Sequence, residues 1–412
     1  MAKTPEELLA ERKKRVMDAA ALKVPDRVPI FLPTSAFGAR YGGITLKEAF
    51  ESKNVAKWHD INERLLLEYQ PDLFLGPLSF DMETNEIIGT KVFKWPAHGL
   101  GDDVSFQFVE GEYMKAEEYD AFLENPSDFI LRTYFPRAYS GLEGLSYMST
   151  MMSALSYGGL LTPFSNPAVI AALETIIKAA KQGSQSWMSQ FAFTPRMLAH
   201  GFPLLLGFGS MAPFDMVSDF LRGLKGATLD MYRCPDKLLA AQQKLLPYLI
   251  DSGIAMGRMM GTPLSFMALH RGSDGFMSLK QFETFYWPGL KTLLLAMIDA
   301  GLIPFVFWEG SWDQRLEYLR ELPKGKVVGW FDRTDLFKAK EVIGEMMCIC
   351  GDMPLSLLRT GTPEQVKDYA KKLIDVVGKG GFIMGSNTVL DDAKPELVKV
   401  WVDFTREYGV CR

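Results

Sequence analysis

Four cysteines and four histidines are all that this 412-residue chain carries. Cys234, Cys348, Cys350 and Cys411 are too few and too unevenly spaced for a disulfide framework, so a reducing compartment, the cytoplasm, is expected. His59, His98 and His200 lack metal-ligand spacing and read as structural or surface residues. Cys348 and Cys350 lie two apart on an apolar run. A flat strand puts such a pair on one face but cannot easily wrap it around one ion, so buried structural thiols are expected. Positive charge is not in excess. The net charge of −5 excludes a broad attraction for nucleic acid or anionic membrane. No apolar run approaches the roughly 18 residues of a membrane span. The charged start, M-A-K-T-P-E-E-L-L-A-E-R-K-K-R, has no apolar signal core. No Gly-rich phosphate loop occurs: G-K-G-G (378–381) falls between a helix and a strand, the wrong order for one.

What is present is rhythm. The chain is 48% hydrophobic and 23% charged, an ordinary globular balance, and is long enough for one large barrel with insertions or for two domains. The runs I-P-F-V-F-W-E-G (303–310), V-V-G-W-F-D (327–332), M-C-I-C-G-D (347–352) and G-F-I-M-G-S-N (381–387) are short, apolar and end in a polar or small residue. Helical patterning separates them, the signature of βαβ units and a parallel sheet. Continued back through the chain, the rhythm predicts strands at 28–33, 72–78, 199–206, 264–270, 303–308, 327–332, 347–351 and 381–385. Eight strands with helices between them predict an α/β fold, a (β/α)8 TIM barrel of one domain over 1–412. Residues 82–135 break the rhythm and read as an inserted, lid-like hairpin near the barrel mouth. Residues 138–156, rich in Met, Ser and Tyr, read as packed helix or loop. The clearest helix starts at Thr362, with Pro363 at its first position, Gln365 completing a capping box and Gly378 as its stop.

Ligands bind such sheets at the carboxyl ends of the strands. Five polar residues stand there: His270, Glu309, Asp332, Asp352 and Asn387. Glu309 follows Trp308 and Asp332 follows Trp330-Phe331, so partial desolvation should raise both carboxyl pKa values and suit them to general acid work. His270 could shuttle protons, and Arg271 could hold an anionic or oxygen-rich ligand, unless Arg271 only pairs with Asp274. Asp81, near the end of strand two, is a further acid. Asp352, in G-D-M-P, reads as a turn residue. Phe307, Trp308, Trp312 and Trp330 are expected to wall the mouth.

The chain resembles the uroporphyrinogen decarboxylase superfamily. The resemblance rests on P-D-R-V-P (25–29), Y-G-G-I-T-L-K-E-A-F (41–50), E-Y-x-P-D (68–72), G-F-P (201–203), S-x-x-Q-F-E-T-F-Y-W-P (278–288), C-G-D-M-P-L-S-L-L-R-T-G-T-P-E-Q-V (350–366) and G-K-G-G-F-I (378–383). It implies the same barrel. The decarboxylase's R-Q-A-G-R substrate grip is reduced here to Gly38 and Arg40, and its pocket histidine is replaced around Ser386-Asn387; Asp81 stands near its pyrrole-binding aspartate. The corrinoid-protein methyltransferase branch looks closer, through E-G-x-W (309–312) and L-P-x-G-K (322–326). Many members bind zinc through His-x-Cys after strand five and Cys after strand eight. Those positions read Trp308-x-Gly310 and Ser386, so all three ligands are replaced; zinc held by Glu309 with other groups stays one option, and a metal-free site using Glu309, His270 and Asp332 is the other. The resemblance thus implies a methyltransferase taking a methyl group from a small, methoxylated aromatic substrate. No B12-binding D-x-H-x-x-G motif occurs, so the corrinoid is expected on a separate partner protein. The alternatives are a cofactor-free decarboxylase or lyase, with Arg40 or Arg271 gripping a carboxylate and His270 or Asp81 as the acid, and a barrel kept as a binding scaffold.

Overall fold

The protein is described here as a computed structural model covering residues 3–205, 210–260 and 262–411. Eight parallel strands carry the architecture: β1 (Phe31–Ser35), β2 (Leu73–Pro77), β3 (Leu204–Leu205), β4 (Leu264–Leu269), β5 (Ile303–Trp308), β6 (Val328–Phe331), β7 (Cys348–Met353) and β8 (Phe382–Ser386). β1 pairs with β2, and β2 with β3; β4 to β8 form a second, five-stranded arc. The arcs join where Ile30 bridges Met384, whose N–H donates to the Pro29 carbonyl at 2.9 Å. Within each arc every strand pairs in parallel with its chain neighbour, so the winding keeps one sense, as in a (β/α)8 barrel. No ladder between β3 and β4 is found among the described residues.

Strand alternation divides the core in two. Phe31, Leu73, Phe266, Phe305, Trp330, Cys348, Cys350 and Ile383 fill the barrel interior. Val306, Trp308, Phe331, Ile349 and Met384 face the surrounding helices. All four cysteines are free, and Cys348 and Cys350 are buried. The helix Pro363–Val377 forms as its caps dictate: Thr362 accepts the Gln365 N–H, the Gln365 side chain accepts the Thr362 N–H, and Val366, Ala370, Leu373 and Val377 are buried. Pro288 follows a widened turn (Phe282–Tyr286) that leads into the helix Trp287–Asp299.

Three expectations change. The strand expected over 199–206 is short, because Phe193–Ala199 is helical, His200 caps it and Gly201 turns the chain at φ 78°; residue 206 lies outside the described residues. The segment 82–135 is not only a hairpin. Phe93 and Lys94 pair antiparallel with Phe108 and Gln107, but short helical turns fill 116–138. The segment 138–156 is only half packed: Leu142, Leu145 and Met148 are buried, whereas Tyr147, Met151, Met152 and Leu155 are exposed.

Candidate active site

The polar cluster begins on a helix. Asp215 lies in Pro213–Met216 and Asp219 in the widened turn Val217–Arg222, four residues on, so both carboxylates share one face. Both are buried. Asp215 anchors the end of β4: it accepts the backbone N–H of His270 at 2.9 Å and of Arg271 at 3.0 Å, and the Tyr286 hydroxyl at 2.7 Å. Asp219 lies 2.5 Å from His270 Nδ1, and it also accepts from Ser218 Oγ at 3.0 Å and from Arg271 at 3.1 Å. Arg271 reaches Glu110 of the 82–135 segment at 2.5 Å. Burial presses the His270 pKa down, but the Asp219 bond and the charges of Asp215, Asp219 and Glu309 outweigh it and hold His270 up at about 9. His270 is therefore a cation at neutral pH, with its side chain 37% exposed. The Asp215 carboxyl is pushed up to about 6 by burial.

The next three strand ends carry carboxyls. Glu309 follows β5 and opens to the mouth. Among the described residues no hydrogen bond to its carboxylate is found, so its oxygens are available to a ligand. Neighbouring protein atoms still remove enough water to raise its pKa; His270 counters this and Asp332 adds to it. Asp332 follows β6. It accepts the Gly310 N–H at 3.0 Å, and burial raises its pKa. Asp352, near the end of β7, accepts from the Tyr369 hydroxyl at 3.1 Å and is raised to about 7 by burial, with Asp332 and Asp335 adding. The turn reading of Asp352 thus understates it. Proton-holding groups stand at four consecutive strand ends, from a charged imidazole to a carboxyl that is half protonated near neutrality.

Other sequence-predicted residues go elsewhere. Phe307 points into the barrel and lies 4.2 Å, centroid to centroid, from Trp330, which forms part of the mouth's buried floor and donates its indole N–H to the Ser386 carbonyl at 2.7 Å. Trp308 and Trp312 do not wall the mouth. Alternation sends Trp308 outward, where it packs edge-on against Trp312 in the helical layer, and both are fully buried. Asp81 is no acid of the cluster: it caps the helix Met82–Ile88, accepting the Thr84 N–H at 2.9 Å and its hydroxyl at 2.6 Å. Arg40 is exposed and turns to Asp391 and Asp392. Asn387 braces loops, with Oδ1 accepting the Leu355 N–H and Nδ2 donating to the Asp332 carbonyl. Asp274 pairs with Arg315, not with Arg271. Asp215, Asp219 and Tyr286 were missed. The signal for the two aspartates was present in P-F-D-M-V-S-D-F-L-R (213–222), where they stand four apart in a mostly apolar helix.

The zinc positions can be tested directly. Trp308 faces away from the mouth. Gly310 has φ 78°, and a Cβ there would sit 2.7 Å from the Ser273 Cβ, so no ligating side chain fits. Ser386 Oγ donates to the Thr388 carbonyl at 2.6 Å. The three residues do not fit that zinc site, and among the described residues no other group of three or more His, Cys, Asp or Glu side chains is arranged to hold a metal. No described helix is long and apolar enough to cross a membrane.

Comparison with known proteins places this geometry. A methyltransferase from Methanosarcina mazei is similar in structure, with a TM-score of 0.61 and 17% identity over 96% of this chain and 98% of that one. At that identity the likeness establishes the fold. No curated protein matches the sequence. The family described as uroporphyrinogen decarboxylase (URO-D) matches residues 162–408, more than half of the chain and all strand ends of the cluster. The chain belongs to the uroporphyrinogen decarboxylase (URO-D) family.

Proposed function

We propose that the protein is a methyltransferase that takes a methyl group from a small methoxylated aromatic and passes it to a corrinoid carried by a separate protein. The observation that carries this reading is the run of proton-holding groups at the mouth. An aryl ether surrenders its methyl group to a nucleophile readily only when the leaving oxygen is protonated or strongly polarised. Glu309, raised in pKa and with free oxygens, is the proton donor; the His270 imidazolium, fixed by Asp219, polarises the same oxygen and keeps the proton supply at the site. Phe307 offers an apolar face to the ring. The corrinoid supplies the nucleophile when its carrier docks, and the exposure of Glu309 keeps the reacting end within reach of a docked partner. The similarity in fold to a protein called a methyltransferase supports the coarse reading. Glu110, bonded to Arg271, links the 82–135 segment to the His270-Arg271 end of β4.

A lyase acting on a carboxylic acid would need a guanidinium free to grip it. Of the two guanidinium groups considered for that grip, Arg271 is engaged by Glu110 and Asp219, and Arg40 by the Asp391 carbonyl and the Asp392 carboxylate, which weighs against their holding a carboxylate. The test is turnover with reduced cobalamin and a panel of methoxylated benzoates and phenols, read as the absorbance change on methylation of cobalt. Turnover by the native chain is expected, with a loss of about 100-fold or more in Glu309→Gln, the range of general acid contributions. Release of CO2 from a small acid with no methyl transfer would replace this reading by the lyase.

A further inference from the structure

We infer that the helical layer behind β2 and β3 holds a second small-molecule site, one that takes an uncharged, single-ring aromatic bearing a hydroxyl group. The inference does not rest on the proposed reaction. Strand alternation opens the site. Leu73 and Leu75 of β2 face the barrel interior, and Phe74 faces the helices, where its ring meets Phe193 edge-on. Gly76 shares the outward face of Phe74 but brings no side chain to it. A cavity of about 310 Å³ is left there, between these strands, the helix Val55–Tyr69 and the last turns of the helices Pro167–Phe191 and Pro235–Met260. Among the described residues that line it, none belongs to the strand-end cluster of β4 to β7.

Volume and lining select the ligand. Pockets for small molecules run from about 300 to 1,000 Å³, so this one has room for a single substituted ring rather than a fused system. Trp58, Phe80, Trp187, Phe193, Met256 and Met259 supply ring faces and thioethers, against which an aromatic ring packs well. No Asp, Glu, Lys or Arg is found among the described lining residues, so a charged ligand would enter without a counter-charge. The polar handle is His59. It lines the cavity, is 7% exposed, and is held by its ring contact with Phe193, 5.1 Å between centroids. Among the described residues no hydrogen bond to its imidazole is found. Burial keeps its pKa below the ordinary 6.5, so the ring is neutral and offers one donor and one acceptor. A hydroxyl group on the ligand gives that imidazole the partner the protein withholds, and a plain hydrocarbon does not. Trp58 already donates its indole N–H to the Leu78 carbonyl at 3.1 Å and serves only as a wall.

The test is calorimetric titration of the full chain with phenol, toluene and benzoate at neutral pH, with the imidazole carbon-bound protons followed by NMR to locate the ligand. Phenol should bind saturably and move the His59 signals, assigned by their loss in His59→Phe. Toluene, the same shape without the hydroxyl, should bind about 5–10-fold more weakly, the worth of one hydrogen bond. Benzoate should not bind here. In His59→Phe the preference for phenol over toluene should vanish. Gly76→Val, from the strand side, and Ser186→Leu, from the helix side, should each fill the cavity and weaken phenol at least tenfold, with circular dichroism unchanged. The proposal is overturned by phenol that moves only the His270 signals, which would place it at the barrel mouth. It is equally overturned by the absence of saturable binding, by toluene or benzoate binding as well as phenol, or by phenol binding that survives both filling variants.

Discussion

His270 owes its charge to its neighbours. Burial alone would make it a neutral imidazole, and a neutral ring would polarise a leaving oxygen less well. Asp219 reverses this through one short bond, and Asp215 and Glu309 reinforce it through space. Replacing Asp219 by Asn keeps the size and an acceptor oxygen but removes the charge. We expect the His270 pKa to fall from about 9 to 6.5 or below in Asp219→Asn, followed by NMR titration of the imidazole carbon-bound protons. The pH profile of turnover should move with it, while Km changes little, because Asp219 acts through His270. A titration that stays near 9 would assign the charge to Asp215 and Glu309 instead. The same scale shows what sequence reading could reach. His270, Glu309 and Asp332 were legible because each is the first polar residue after an apolar run. Trp308 was misplaced although the needed rule was at hand: if Phe305 and Phe307 face in, Trp308 faces out. Asp81 was misread because a helix cap and a catalytic acid look alike until the following N–H groups are located.

Elements were legible wherever local chemistry agreed with tertiary demand. The helix Pro363–Val377 has its cap, its proline and its apolar stripe in register, and it folds as written. β3 was overestimated because M-L-A-H-G-F-P-L-L-L contains a helix end and a glycine turn before its two strand residues, and apolar content alone does not separate these. The bracing of His270 by Asp215 and Asp219 was not legible, since it depends on which face of 213–222 meets β4, a long-range fact. The cap offers a clean test of local energetics. Thr362→Ala removes the acceptor for the Gln365 N–H, 3.3 Å away at an exposed position. A loss of about 1 kcal/mol in urea unfolding is expected, with turnover unchanged, because the helix lies behind β7 and β8. An unchanged midpoint would mean that packing of Val366 and Leu373 alone holds this helix end.

The mouth as a whole sets how stability depends on pH. Asp215 titrates at about 6 and Asp352 at about 7 in the folded protein, against 3.8 for an ordinary aspartate. From about pH 4 to 7 the fold therefore holds protons that the unfolded chain has already released, and stability must fall as pH rises through that window. His270, at about 9 against 6.5, extends the fall to about pH 9 by the same sign: its stabilising charge is complete below 6.5 and lost above. Asp26, Glu118 and Asp219 are lowered and act oppositely only on acidification below the ordinary carboxyl range, and His59, lowered by burial from 6.5, opposes the fall only below about pH 6.5, as one group against Asp215 and Asp352. The thermal midpoint should thus be highest in mild acid and decline steadily from pH 5 to 9 at constant ionic strength, measured by scanning calorimetry. Asp352→Asn keeps an acceptor for the Tyr369 hydroxyl while removing the buried charge, so it should raise the midpoint at pH 8 and leave pH 4 nearly unchanged. A flat or rising native profile would show that the strand-end carboxyls hold no extra protons. The decline, if found together with a functional loss in the same variant, identifies these carboxyls as groups kept at the barrel mouth against the interest of the fold, which is how a site differs from a core.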